Sequence, residues 1–169
     1  MNTKKMVFGA VCIAFGLILP VVFHLFGGAG SVFLPMHIPV LLAGFCLGCR
    51  GGFLVGVITP VLSSILTTMP PLFPLMPIMA VELAVYGMAA GYFYQTVRLR
   101  ISTALFLTML AGRSAAMFGA FVLLKVLNVN LSPLYYVTGA VVMGLPGIAV
   151  QFILIPILVI RLGKNQYSA

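Results

Sequence analysis

The chain has 169 residues, of which 63% are hydrophobic and only 6% are charged, and its formal net charge is +8. A soluble domain carries about 25% charged residues, so these side chains cannot cover a water-facing surface, and a soluble fold is excluded. The composition instead predicts an all-α integral membrane protein that faces lipid over most of its area, because helices satisfy their own backbone hydrogen bonds in lipid.

The basic residues do not form the patch that is typical of a nucleic-acid-binding protein. They occur singly or in pairs between apolar segments, and no aromatic residues are interleaved with them. Such spacing indicates cytoplasmic membrane loops, which are enriched in Lys and Arg. The residues predicted to lie on the cytoplasmic side are Lys4, Lys5, Arg50, Arg98, Arg100, Arg161 and Lys164. We therefore interpret the charge as a topology signal and expect no nucleic-acid partner.

The apolar segments predict a compact bundle of six transmembrane helices, with both termini in the cytoplasm and residues 1–169 in a single domain. In chain order, the segments are 6–26, 37–49, 53–68, 78–95, 101–127 and 134–162. The second is too short to span comfortably unless it starts inside the membrane or tilts. Two stretches are predicted to be external loops: 27–35, which is Gly-rich and can bend sharply, and 69–77, whose four prolines prevent a regular helix.

Small residues mark two places where helices are predicted to pack closely, because small side chains let helix backbones approach each other in a membrane. The first set recurs every four residues where the second and third segments turn, and consists of Gly44, Gly48, Gly52 and Gly56. The second set gives the first segment a small-residue face, and consists of Gly9, Ala10, Ala14 and Gly16.

Arg113 and Glu82 lie inside predicted helices and away from their ends, where a charge is costly unless it is paired or hydrated. Arg113 is about a dozen residues from either end of its segment, near the membrane midplane. It is a candidate anchor for a substrate carboxylate or phosphate, or a structural partner of Glu82 or of helix-end carbonyls. Glu82 is the only acidic residue. It could accept a hydrogen bond from a ligand, couple to protons, or pair with Arg113.

Other polar side chains are predicted to gather at the outer end of the bundle and to complete a binding site for a small polar ligand. The candidates beside Glu82 and Arg113 are His37, Tyr86, Asn128 and Tyr135. His37 begins a helix, and we interpret it as an interfacial hydrogen-bonding group because no ligand spacing favours a metal. Cys46 and Cys49 spell CxxC, but without a second pair they are interpreted as small buried hydrophobes. No metal or cofactor is predicted.

Enzyme and channel functions are not favoured by this inventory. Hydrolases and transferases need paired carboxylates or a Ser/His/Asp set, and one acid with two dispersed His cannot build these. No repeated polar stripe is present that could line a pore. The chain has no nucleotide-binding motif, so a pump built on it requires an external motor.

The chain resembles the substrate-binding S components of energy-coupling factor (ECF) vitamin transporters over nearly its whole length. The resemblance depends on a basic N-terminus, the pattern Ala10-xxx-Ala14 on the first helix, and three longer motifs. These motifs are LPMHIPVLLAGFCLG, GVITPVLSSILTTMPPLFP and VELAVYGMAAG.

The resemblance implies a multi-pass protein of a bacterial plasma membrane that binds a vitamin or cofactor precursor near the extracellular side. Ala10 and Ala14 would dock onto a transmembrane coupling subunit that carries two cytoplasmic ATPases, and the loops 27–35 and 69–77 would gate the site. Arg113, together with the small number of aromatic side chains on which a flat ring could stack, favours a small anionic substrate. Pantothenate fits best, while folates and cobalamin fragments remain open.

Two other functions remain as alternatives. The chain could be a non-transporting membrane assembly or sensor protein whose small-residue faces bind other helices. A self-contained secondary carrier is disfavoured, because the sequence has no internal repeat and few ionisable residues.

Overall fold

The structure is a computed structural model that describes the backbone of residues 3–25, 33–126 and 133–166. Within these ranges the side chains are described except at positions 24–25, 124, 126, 133–141 and 163–166. The described chain is helical and contains no strand. The helices are α1 (Thr3–Leu25), α2 (His37–Thr67), α3 (Leu75–Gly91), α4 (Ile101–Val126) and α5 (Pro133–Gln166), and a π turn (Tyr92–Thr96) extends α3.

Five helices are long enough and apolar enough to cross a membrane within the described ranges. The predicted all-helical membrane fold is confirmed to this extent. The predicted count of six spans stays a prediction, because α2 covers two of the predicted segments. The cytoplasmic location of both termini also stays a prediction.

Gly48 divides α2 into two arms that fold back on each other. Its backbone is not helical, with φ 82° and ψ −174°, a conformation that glycine adopts without steric cost. A Cβ placed on Gly52 would lie 2.7 Å from Cα of Gly44, whereas residues eight apart in a straight helix are separated by about 12 Å. The two arms are therefore the predicted segments 37–49 and 53–68, and the chain reverses just before Arg50.

The glycines of α2 bring its two arms into backbone contact with α3. A Cβ on either Gly44 or Gly52 would meet the carbonyl oxygen of Gly87, and one on Gly91 would meet the backbone of Gly48. No side chain larger than hydrogen fits between these backbones. The close packing predicted from the four-residue glycine repeat is therefore confirmed, and its partner is α3 as well as the opposite arm.

The turn at Gly48 is supported by a side chain from the π turn after α3. Nε2 of Gln95 donates a hydrogen bond of 2.8 Å to the carbonyl oxygen of Phe45. The last carbonyl groups of a helix have no partner within that helix, so Gln95 satisfies one of those left where the first arm ends.

The loop after α2 is shorter than predicted and is tied to α2. The prediction extended it to Pro77, but α3 begins at Leu75, because proline in the first turn of a helix removes an N–H group that needs no partner there. The hydroxyl of Ser63 donates to the carbonyl oxygen of Met69 at 2.6 Å, and that of Ser64 to Pro70 at 2.7 Å. These bonds fix the loop to the last turns of α2.

The four small residues of α1 do not form one face. Gly9 and Gly16 are buried, and a Cβ on Gly16 would meet the side chain of Thr59 in α2. Ala10 and Ala14 are exposed. The predicted single face was wrong because successive helical residues are turned by about 100°, which places the glycines and the alanines on different sides of α1. The glycines pack on α2, and the described chain leaves the two alanines exposed.

The main core lies between α2, α3, the first half of α4 and the second half of α5. Its fully buried large side chains are Val40, Leu41, Phe45, Leu83, Tyr86, Leu105 and Ile155.

Candidate functional site

Glu82 forms an ion pair with Arg113 inside the bundle. Oε1 of Glu82, on α3, lies 2.9 Å from Nη1 of Arg113 on α4, and the two side chains are 8% and 15% exposed. The pairing with Glu82 that the sequence left open is therefore present. A buried ion pair in a low-dielectric setting attracts strongly, but removing one partner leaves an uncompensated charge.

His37 approaches the same carboxylate oxygen from the start of α2. Its Nε2 lies 3.5 Å from Oε1 of Glu82, and its side chain is 3% exposed. The imidazole also meets the ring of Tyr86 edge to face, with centroids 5.1 Å apart and planes at 80°. Tyr86 is four residues after Glu82, so both side chains lie on one face of α3. We call His37, Glu82, Tyr86 and Arg113 the outer cluster.

Several polar atoms of the outer cluster are buried without a hydrogen-bond partner among the described residues. They are Nε and Nη2 of Arg113 and Nδ1 of His37. Buried polar groups are normally satisfied, and each exception calls for an explanation. These atoms belong to the two residues that contact Oε1 of Glu82, Arg113 and His37.

Two glycines and one leucine border the cluster. The ring of Tyr86 packs on Gly112 of α4, where a Cβ would collide with it. On α5, a Cβ at Gly144 would lie 3.6 Å from Nη2 of Arg113 and 2.8 Å from Cδ1 of Leu34. Leu34, just before α2, has φ 48°. The segment that enters α2 therefore reaches α5 beside the guanidinium group.

The structure brings together His37, Glu82, Tyr86 and Arg113 from the predicted site. Asn128 lies outside the described residues, and Tyr135 lies on α5 with a side chain that is outside the described part. No three His, Cys, Asp or Glu residues converge as metal ligands anywhere in the described chain. The binding role of the outer cluster stays a prediction at this point.

Two buried polar residues were missed by the sequence analysis. Gln151 on α5 is 1% exposed and Thr108 on α4 is 0% exposed, and Nε2 of Gln151 and Oγ1 of Thr108 have no partner within the described ranges. Gln151 stands alone in the apolar run GIAVQFILI, a signal that could have found it. Thr108 gave no clear signal, since a threonine hydroxyl in a helix often bonds to its own backbone.

Comparison with known proteins gives one finding. A family model described as "ECF transporter, substrate-specific component" matches residues 4–159. No curated protein and no solved structure matches the chain. The matched region contains all four residues of the outer cluster as well as Ala10 and Ala14.

Proposed function

This chain belongs to the ECF transporter substrate-specific components, and on that premise we propose that it binds a vitamin or cofactor precursor and delivers it to an ATP-driven ECF module. Members of this family are substrate-binding transport subunits, not enzymes, and they work with an ECF module. The chain is accordingly a multi-pass membrane transport subunit.

The outer cluster is the proposed substrate site, with Asn128 and Tyr135 as further contacts. The observation that carries this assignment is the ion pair between Glu82 and Arg113, whose guanidinium group keeps buried, unused donors. Intramembrane ionisable residues are functional-site candidates because they are costly to keep in lipid. A small anionic molecule suits these donors, and pantothenate is the first candidate.

The proposed partners are a transmembrane coupling subunit and two cytoplasmic ATPases. Ala10 and Ala14 are exposed on α1, which suits close approach of another helix. The proposed location is a bacterial plasma membrane, with the substrate entering from the extracellular side.

Native mass spectrometry of the protein, purified in mild detergent from a vitamin-rich medium, tests this function. We expect a discrete bound mass that identifies the substrate, together with co-purification of ATPase subunits when the ECF module is present. If neither a small molecule nor an ATPase is found with the folded protein, the transport function is wrong. The non-transporting assembly or sensor protein would then be favoured.

A further inference from the structure

The unused donors of Arg113 lie on one edge of the guanidinium group. Nη1 contacts Glu82 at 2.9 Å, whereas Nε and Nη2 are buried without a partner among the described residues. Nε–H and one N–H of Nη2 point in parallel from the same side of the planar group. This edge matches the two oxygens of a carboxylate in a bidentate arrangement. Glu82 therefore occupies the remaining nitrogen, and the Nε/Nη2 edge is buried without a partner among the described residues.

His37 offers the opposite hydrogen-bonding character next to the same ion pair. A neutral imidazole that donates Nε2–H to Glu82 keeps a lone pair on Nδ1, which then accepts hydrogen bonds. Nδ1 is buried and has no partner in the described part of the chain. A ligand group that satisfies this atom must donate through O–H or N–H.

We propose that the outer cluster is a subsite for a small carboxylate that also carries a hydroxyl or amide donor. The carboxylate binds the Nε/Nη2 edge of Arg113, and the donor binds Nδ1 of His37. Glu82 does not touch the ligand, and acts as the fixed counter-ion that orients both residues. This proposal rests on the proposed function, because it specifies the substrate class of the same site.

Electrostatics favour a carboxylate over a cation or a phosphate dianion. Glu82 and Arg113 together are neutral, and the unpartnered atoms of Arg113 are N–H donors, which suit an anionic group and cannot coordinate a cation. A carboxylate adds one negative charge to the neutral pair. A phosphate dianion adds two in the same low-dielectric setting, where uncompensated charge is expensive.

The test compares carboxylates with neutral analogues of the same shape on the full-length protein in lipid nanodiscs. The probe pairs are pantothenate with pantothenol, nicotinate with nicotinamide, and biotin with biotinamide, and binding is measured by calorimetry. For every pair that binds, we expect the carboxylate to bind at least roughly 100-fold more tightly, since hydrogen bonds to charged groups contribute strongly. Equal binding of the two members would overturn the proposal.

Variants of the ion pair separate recognition from folding. Arg113→Gln alone leaves Glu82 unpaired, so the double variant Glu82→Gln/Arg113→Gln is the main reagent, because both buried charges are removed. We expect the double variant to fold and to lose the preference for carboxylates. Arg161→Gln removes an exposed arginine of α5 and should leave the preference unchanged. A double variant that folds and keeps the preference would contradict the role of Arg113.

Two single variants test the other roles. Glu82→Gln keeps a hydrogen-bonding group and removes the counter-ion, so the affinity for a carboxylate should stay the same or rise. If Glu82 instead contacted a donor of the ligand directly, this variant would lower the affinity.

His37→Phe keeps a ring against Tyr86 and removes Nδ1 together with Nε2. It should weaken pantothenate, which carries O–H and N–H donors, by roughly 10-fold and leave nicotinate, which has none, little changed. An equal effect on both would contradict the acceptor role.

The outcomes also distinguish this proposal from the proposed function. If native mass spectrometry shows a bound molecule without a carboxylate, while none of the three acids binds, the transport function stands and the carboxylate subsite is wrong. If no small molecule of any class binds the folded protein, the proposed function fails and the subsite fails with it.

Discussion

Glu82 and Arg113 are each costly to bury alone, and the 2.9 Å contact between them offsets much of that cost. The carboxylate accepts from Arg113 and faces His37, so it is stabilised from two helices at once. The pair thus joins α3 and α4, and His37 adds α2 at the same carboxylate oxygen. Its contribution to stability and its proposed contribution to binding are separable, because different guanidinium nitrogens serve the two.

Replacing Arg113 alone should destabilise the protein much more than replacing both charged residues. Arg113→Ala leaves a buried carboxylate without its cation, and the free energy of unfolding should fall by about 3–5 kcal/mol. Glu82→Gln/Arg113→Gln leaves two amides that can bond to each other, so its loss should be smaller. Unfolding of both variants in detergent, followed by circular dichroism, provides the comparison, and equal losses would show that the charge pair matters little for stability.

The sequence was sufficient to find the outer cluster but not its hydrogen-bonding state. A lone acid and a midplane arginine stand out in an apolar chain, and His37 and Tyr86 were expected near them. Which nitrogen of Arg113 meets Glu82 depends on side-chain geometry between two helices, which no sequence pattern encodes. Gln151 was overlooked because the apolar residues around it were sufficient to predict a membrane helix.

The contact between α2 and α3 is made by backbone rather than by side chains. At Gly87 and Gly52 each residue occupies the position that a Cβ of the other would need. Such approach increases dispersion contacts between helices and leaves no space for a larger residue. The two arms of α2 and the helix α3 should consequently behave as one rigid unit.

Gly87→Val should prevent correct packing of α3 on α2, because the new side chain would meet the backbone of Gly52. We expect loss of the monodisperse folded protein in size-exclusion chromatography. Gly119→Ala is the matched control, since a Cβ on this α4 glycine lies 3.8 Å from its nearest neighbours, on Val81. If Gly87→Val folds as well as the control, the described backbone contact is wrong.

The loop between α2 and α3 should become looser when its two serine bonds are removed. Ser63→Ala/Ser64→Ala deletes the hydroxyls that hold Met69 and Pro70 at 2.6 and 2.7 Å, and each lost bond costs about 1 kcal/mol. If this loop gates the site, ligand dissociation in stopped-flow measurements should accelerate, whereas Ser114→Ala on α4, an exposed serine bonded to its own helix, should have no effect. Unchanged dissociation would remove the loop from the gate.

Helix existence was predictable from apolar length, and the predicted segments begin where α2 and α4 begin, at His37 and Ile101, but the start of α3 was not predicted correctly. The reversal between the segments 37–49 and 53–68 was predicted, and the structure places it at Gly48, which has a positive φ; the hydrogen bond from Gln95 to Phe45 beside it joins residues distant in sequence and was not predictable. The sequence predicts a later start of α3, at residue 78, because prolines interrupt most helices, whereas the first turn of a helix tolerates them and α3 begins at Leu75. The division of small residues on α1 could have been predicted from the helical angle between Gly9 and Ala10.

In the described part of the bundle, α1 is the least buried of the five membrane-length helices, and Ala10 and Ala14 are exposed on it. Large apolar side chains beside them, including Val7 and Val11, are also exposed, and we expect a partner helix to approach this side of α1. None of these residues of α1 takes part in the ion pair of the outer cluster. Docking and ligand binding are therefore expected to respond to different substitutions.

Ala10→Leu/Ala14→Leu should abolish uptake by cells while leaving ligand binding by the purified protein unchanged. Leucine side chains would hold a partner helix away from α1. Ala149→Leu adds the same bulk at an exposed alanine of α5 and should not affect uptake. Uptake of isotope-labelled substrate and calorimetric binding are the two measurements, and loss of binding in the double variant would contradict a pure docking role.

During synthesis, α3 leaves the ribosome before α4, so Glu82 reaches the membrane insertion machinery before its cation has been made. A single carboxylate at a helix centre raises the insertion free energy by about 2.5–3.5 kcal/mol. Only residues 97–100 separate the π turn from α4, so Arg113 follows closely and the two helices can enter lipid as a neutral hairpin. From this order of the helices we expect the ion pair to form during membrane integration, before any substrate is present.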